Sequence, residues 1–414
     1  MTITNWAGNV TFGTDRLHTP GTLDALREIV AASPRLRPLG TAHSFNRIAD
    51  TDGDLVSAAG LPTQVHIDSV ASEVTVSAGV RYGELASRLH AAGYALHNLA
   101  SLPHISVAGA VATGTHGSGV FNPSLSSAVT ALRLVTADGE LLDLRRGDPR
   151  FLGAVVNLGA LGVVVEVSLR IRPTFDIAQS VYERLPWSRL STGFREITAA
   201  GYSVSLFTDW TGPEINQIWV KRAPLDPALP DRWLGATLAT TPLHPVPAMS
   251  AVNCTPQGGE PGPWHERLPH FRLDFTPSSG DEIQTEYLVP ATNALDALDA
   301  VDAIRDRVSP VLQISEIRTI AADDLWLSPS HGRDSVAIHF TWKPDAEAVA
   351  PVVAALEERL APFDARPHWG KVFATDPAAI RARYPRFDDF LALRADLDPT
   401  GKFLNPFLTS LFNL

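Results

Sequence analysis

The sequence predicts a two-domain α+β protein, and three observations carry that prediction. Its 414 residues, 45% of them hydrophobic, exceed what one core usually holds. Up to Pro173, short helices alternate with strands and hairpins. Beyond Pro173, Trp, Phe and Pro become frequent, and strands separated by amphipathic helices read as an antiparallel sheet covered on one face.

Taken in order, residues 22–32 place Leu23, Leu26, Ile29 and Val30 on one helical stripe that stops before Pro34. Residues 35–39 read as a short strand leading to Gly40. Asp52-Gly53 is a turn before a strand at Leu55-Val56, and residues 73–80 alternate Val74, Val76 and Ala78 with Thr75, Ser77 and Gly79, a half-buried strand. Residues 82–92 return to helical spacing through Leu85, Ala86 and Leu89, with Gly93 where a C-cap belongs. Between Leu99 and Gly119 no period dominates. Residues 128–135 and 141–144 flank Asp138-Gly139 as a hairpin, and 159–171 is an apolar strand ending at Pro173.

In the second region, strands are expected at 204–210 and 217–221. Val289-Pro290 leads into a helix over 294–307 with Leu295, Leu298, Val301 and Ile304 on one face. Strands at 311–320 and 335–342 follow, then a helix over 349–360 with Val352, Val353, Leu356 and Leu360 inward. Asp398 to Phe407 is a turn-rich closing segment. The expected division is 1–173, 174–367 and a return segment 368–414.

Composition removes several classes of function. Net charge is −11 and no Lys/Arg cluster is present, which argues against nucleic acid. Cys254 is the single cysteine, so intrachain disulfides and cysteine-based metal sites are excluded; a small buried filler is expected there, and no metal is expected elsewhere. The N-terminus lacks the charge and apolar pattern of an export signal. The uncharged run 234–249 holds Pro242, Pro245 and Pro247 and is too broken to span a bilayer. A cytoplasmic monomer without membrane association is expected. Trp264 to His270 imitates a zinc-protease helix, but its second His is one residue late and follows Pro269. Gly117-Ser118-Gly119 lacks the third Gly of a nicotinamide fingerprint.

Chemistry concentrates in three uncharged, small-residue runs: 39–46, 100–110 and 111–119. Small residues let a backbone approach a ligand, and successive N–H groups in tight turns form anion sites. His43, beside Gly40 and Ala42, offers a neutral nucleophilic nitrogen that a ring edge can reach. In the strand 311–320, period 2 puts Leu312, Ile314, Glu316, Arg318 and Ile320 on one face. Two opposite charges on an apolar face must be paired or functional, since burying either alone costs several kcal/mol. In 335–342, Ala337, His339 and Thr341 share one face, and Val336, Ile338, Phe340 and Trp342 pack under helices. If the two strands are neighbours, four hydrogen-bonding side chains converge, and Lys371 could add a second cation.

Gly40-Thr41-Ala42-His43-Ser44-Phe45, Ser101-Leu102-Pro103-His104-Ile105-Ser106-Val107-Ala108-Gly109 and Thr113-Gly114-Thr115-His116-Gly117 together resemble the vanillyl-alcohol-oxidase superfamily of FAD enzymes. Within that superfamily the chain resembles the alditol (xylitol, sorbitol) oxidases from one end to the other. The resemblance implies a PCMH-type FAD-binding domain with an antiparallel cap and FAD attached covalently through His43. It implies that Pro38, Leu39, Gly40, Thr41, Ala42, His43 and Ser44 cradle the cofactor with Ser101, Ser106, Gly109, Ala110, Val111 and Ala112. Val164 would meet its adenine end, with Arg318 and His368 on the flavin side. Ser101, Glu316, Arg318, Thr341 and Lys371 would bind a polyol. His339 would be the base, an imidazole near neutral pKa that Arg318 and Lys371 should depress by like-charge repulsion, with Arg318, Lys371 and Glu316 completing the catalytic set. The implied reaction converts a terminal CH2OH to an aldose and O2 to H2O2. The alternatives are an aldonolactone oxidase or dehydrogenase using a different electron acceptor, and a binding protein that has lost its chemistry.

Overall fold

A computed structural model describes residues 2–275 and 281–414. A five-stranded antiparallel sheet organises the first part in the order Val65–Asp68, Glu73–Ser77, Val163–Arg170, Val129–Val135, Leu141–Arg145. The expected hairpin forms, with Gly139 in the left-handed region at φ 84°. A small parallel sheet, Leu17–His18, Asp54–Val56 and Leu36–Pro38, lies beside it and leads directly into the Gly40 loop. The helix Leu23–Ala32 starts where Thr22 accepts the Ala25 N–H, and it buries Leu26 and Val30.

The second part is a ten-stranded sheet. At its centre run Asp176–Pro186, Glu214–Arg222, Ser203–Thr208, Leu312–Ile320, Ser335–Trp342 and Ile283–Pro290, all antiparallel neighbours. One face carries Ile317, Val336, Ile338, Phe340 and Trp342 against Leu298, Val301, Val352, Val353 and Leu356 of the helices Ala294–Asp302 and Ala346–Leu360. Each such fully buried aliphatic side chain contributes about 1.5–3 kcal/mol. The opposite face is free to be polar.

The chain's last residues return to the first part. Asn405 donates to the carbonyls of Arg47 and Asp50, and the buried Asp398 carboxylate accepts from the Lys402 and Phe403 N–H groups. The Arg37 guanidinium joins the carbonyls of Ile48, Leu158, Gly159 and Phe403. Burial holds its pKa down at about 9, with Asp398 opposing.

Several expectations need correction. The helix predicted over 294–307 breaks at Ile304, and its buried stripe is Ala294, Ala297, Leu298 and Val301, leaving Leu295 half-buried. A bulge between Leu312 and Ile314 turns Leu312 to the helix side, away from the Glu316 face. Strands Asp176–Pro186 and Ile283–Pro290 and the helix Trp187–Thr198 carry no expectation from the sequence. Both strands are buried almost throughout, so little alternation marks them. The aperiodic run at 99–119 contains a helix of only six residues, Val107–Ala112, too short to show a period. Cys254 is buried as expected, and burial pushes its thiol up to about 12. Among the described residues, no helix is long and apolar enough to cross a membrane, and no cluster of ligands could hold a metal.

Candidate active site

A cavity of about 700 Å³ runs from the loop 39–46 to the polar face of the large sheet, a size that suits a cofactor with a small substrate. Its first end is built by close backbone approach. A Cβ on Gly40 would come within 2.6 Å of the Ser106 hydroxyl, and one on Gly109 within 2.8 Å of it. Ala42 takes φ 57°, unusual for a residue with a side chain, and its carbonyl is held by the Trp6 N–H at 2.8 Å. Asn5 and Asn9 donate to the Ser44 and Phe45 carbonyls, so the N-terminal turn pins this loop. Trp6 stacks on the His43 ring at 4.8 Å and 17°. On the other side, Phe45 N–H donates to the Gly370 carbonyl, and Asn46 donates to the Trp369 and Lys371 carbonyls.

His43 Nδ1 lies 3.0 Å from the Thr41 carbonyl, while Nε2 is buried without a partner. Burial lowers its pKa to about 4 despite the Thr41 bond, so the ring is neutral at physiological pH. The Ser106 hydroxyl is likewise buried and unpartnered. Unmet polar atoms beside glycine-widened space fit a large polar ligand, and a neutral imidazole fits covalent attachment to a ring carbon.

At the far end, strand register delivers the convergence. Glu316 stands opposite His339, His339 opposite Glu286, and Thr341 opposite Gln284. Arg318 donates to Glu286 at 2.9 Å and to the Ser101 hydroxyl at 3.2 Å, and its Nε lies 3.5 Å from Glu316. His116 Nε2 is 3.3 Å from the same Glu286 oxygen. The Lys371 ammonium bonds to the Gln284 oxygen and sits 4.9 Å over the Phe45 ring. Burial alone would raise both carboxylates; Arg318 with His116 holds Glu286, and Arg318 with His270 holds Glu316, well below the usual range. Burial lowers the Lys371 pKa.

His339 Nε2 is 3.1 Å from the Gln284 oxygen. That oxygen already accepts from Lys371, which can only donate, so Nε2 carries the imidazole proton. Nδ1 keeps its lone pair and has no protein partner. Burial, then the Lys371 charge, push His339 down to about 3, against Glu286 and Glu316. The direction is the one expected from Lys371 and Arg318, and burial, the larger cause, carries it further below neutral than their repulsion alone would.

Of the cofactor and substrate residues expected from the sequence, Pro38 to Ser44, Ser101, Ser106, Gly109, Ala110, Ala112, Val164, Glu316, Arg318, His339, Thr341, His368 and Lys371 all line this cavity. Val111 does not. It faces the hydrophobic core at 1% exposure, and its carbonyl accepts from Ser126. Gln284, Glu286, His116 and His270 were missed. Alternation in Gln284-Thr285-Glu286-Tyr287 was the available signal for two of them. His270 figured only in a failed zinc motif, yet it bonds Glu316 at 2.7 Å.

Comparison with known proteins agrees with this geometry. A family described as FAD binding domain matches residues 15–145, and one described as D-arabinono-1,4-lactone oxidase matches 281–411. The chain is 57% identical to an alditol oxidase from Streptomyces sp. (strain IKD472 / FERM P-14339), covering 99% of each. It is 30% identical to an L-gulono-1,4-lactone dehydrogenase of Mycobacterium tuberculosis, covering 97% of each. A crystal structure of cholesterol oxidase from B. sterolicum superposes with TM-score 0.83 over 99% of this chain and 96% of its own. At 16% identity that likeness speaks to the fold, which is the PCMH-type FAD-binding fold.

Proposed function

The chain belongs to the alditol oxidase family of FAD-binding oxidoreductases, and from that premise we propose that it oxidises the terminal CH2OH of an alditol such as xylitol or sorbitol to the aldose, with O2 reduced to H2O2. One observation carries the reading: Ser101, Glu316, Arg318, His339, Thr341 and Lys371 line the same cavity as the His43 loop. Residues 1–173 with 368–414 would hold FAD, bonded covalently to His43, and 174–367 would form the cap over substrate, in a cytoplasmic monomer.

FAD, when bound, supplies the acceptor for the hydride leaving carbon. The protein must then take the hydroxyl proton and favour alkoxide character. His339 Nδ1 is the acceptor, its tautomer set by Gln284. A base of low pKa removes a proton only as the alkoxide is stabilised, and Arg318 and Lys371 provide that stabilisation. Glu316, Thr341 and Ser101 take the remaining hydroxyls. A substrate that leaves one of these buried groups unpaired is penalised strongly.

The test is a stopped-flow and peroxide-release panel of xylitol, sorbitol, mannitol, glycerol and L-gulono-1,4-lactone. Flavin reduction by alditols with peroxide formed is expected. Reduction by the lactone and not by alditols would replace this reading with the lactone one. Acid-precipitated protein should stay yellow, and His43→Ala should release its flavin on denaturation.

A further inference from the structure

Behind the Glu316 strand lies a buried cation that none of these steps uses. Lys221, on Glu214–Arg222, is 1% exposed. Its ammonium has three N–H bonds and three acceptors: the Leu268 carbonyl, the Pro269 carbonyl at 3.2 Å and His270 Nδ1 at 3.1 Å. The His270 ring stands edge-on to Phe207 and Trp219, with centroids at 5.5 and 5.1 Å, which restricts its rotation. Its Nε2 is 2.7 Å from Glu316 Oε1. An ammonium donates and cannot accept, so Nδ1 accepts and the imidazole proton sits on Nε2, where it donates to the carboxylate.

We propose that Lys221 and His270 are positioning residues for alditol recognition: Lys221 fixes the His270 tautomer, and His270 holds the Glu316 carboxylate in place for the substrate hydroxyls. The inference rests on the reading that Glu316 binds a polyol. The count of donors fits: the two carbonyls leave the ammonium one N–H, and His270 takes it. Without Lys221, only the Glu316 carboxylate keeps the proton on Nε2, while the stranded Leu268 and Pro269 carbonyls draw it to Nδ1, and a ring protonated there presents a lone pair to the carboxylate. That arrangement repels, and Glu316 would turn away.

Burial lowers Lys221 to about 7, so stopped-flow reduction of the holoprotein by xylitol is run at a pH near 6, where the ammonium form predominates, and gives an apparent Kd and a limiting rate. Four proteins are compared: wild type, K221M, H270Q and K221M/H270Q. Methionine fills the lysine's space without donating. Glutamine at 270 offers an amide N–H whose polarity does not depend on residue 221. K221M is expected to weaken xylitol binding roughly ten- to hundredfold, the loss of one charge-assisted hydrogen bond, with a limiting rate changed less than about threefold. H270Q should bind more tightly than K221M, and K221M/H270Q should recover most of the affinity that K221M loses. Wild-type affinity in K221M, or a double variant as weak as K221M, overturns the inference while leaving the alditol reading intact. A wild type that no alditol reduces overturns both. Should K221M fail to fold, H270L against H270Q decides, because only glutamine can donate to Glu316; equal affinities overturn the inference.

Discussion

Removing the Glu286 carboxylate tests the electrostatics of the polar wall. Glu286 is 2% exposed and holds Arg318 at 2.9 Å and His116 at 3.3 Å. Breaking a buried pair by deleting one partner costs about 3–5 kcal/mol. Glu316, 3.5 Å from Arg318 Nε, compensates part of the stranded charge, so Glu286→Leu falls near the lower bound, about 3 kcal/mol. Glu286→Gln keeps an acceptor at the guanidinium and loses only the charge, about 1–2 kcal/mol. In a chain of 414 residues the unfolding entropy makes each kcal/mol worth about 1 °C in Tm. Differential scanning fluorimetry at neutral pH should rank wild type above Glu286→Gln above Glu286→Leu, with the last about 3–4 °C down. The sign in acid follows from the depressed carboxyl: its stabilisation is present above the ordinary carboxylate range and lost only well below it. The gap should therefore persist at mildly acidic pH. Glu286→Leu melting with the wild type, or Glu286→Gln melting below Glu286→Leu, would refute the reasoning.

Trp6→Ala removes the ring stacked on His43. Losing about 0.5–1.5 kcal/mol of orientation should slow covalent flavin incorporation roughly two- to tenfold, read as denaturation-resistant fluorescence over time; an unchanged time course counts against the stack. Burial keeps His270, His339 and His368 neutral down to about 4, 3 and 3. The unfolded chain takes up these protons near pH 6.5, so stability is full above that value and falls as acid is added. A Tm unchanged between pH 7 and about 5 would contradict it. Gly117→Ala would place a Cβ 2.5 Å from the Leu99 carbonyl, whereas Gly21 has open space. The first should lose about 1–3 kcal/mol and Gly21→Ala almost nothing; equal denaturation midpoints would show that the Leu99 turn yields freely.

The His43 loop and the Glu316 and His339 faces were legible because composition and period 2 mark them directly: small residues without charge in one case, charges on an apolar face in the other. Their adjacency was a conditional in the sequence and a fact in the sheet, where Glu316 and His339 are register partners. Glu286 escaped because its strand is buried almost throughout: the short alternation in Gln284-Thr285-Glu286-Tyr287 runs straight into apolar Leu288 and Val289 and is too brief to set a period. Leu312 was misplaced because a bulge adds one residue that periodicity cannot count. Val111 is carried over with its run, whereas the short helix Val107–Ala112 turns its side chain into the core and those of its neighbours toward the cavity. The extent of the lowering at His339 was not legible for a further reason: desolvation depends on what covers a ring, and that cover comes from residues far away in the chain.

Arg37 joins the carbonyl of Phe403 to those of Ile48 and Gly159, and the loop after His43 closes on residues 369–371. The wall around His43 is thus woven from residues 366 and 323 positions apart in the sequence. Such contacts close very long loops, so the compartment is one of the last parts of the fold whose ordering entropy is repaid.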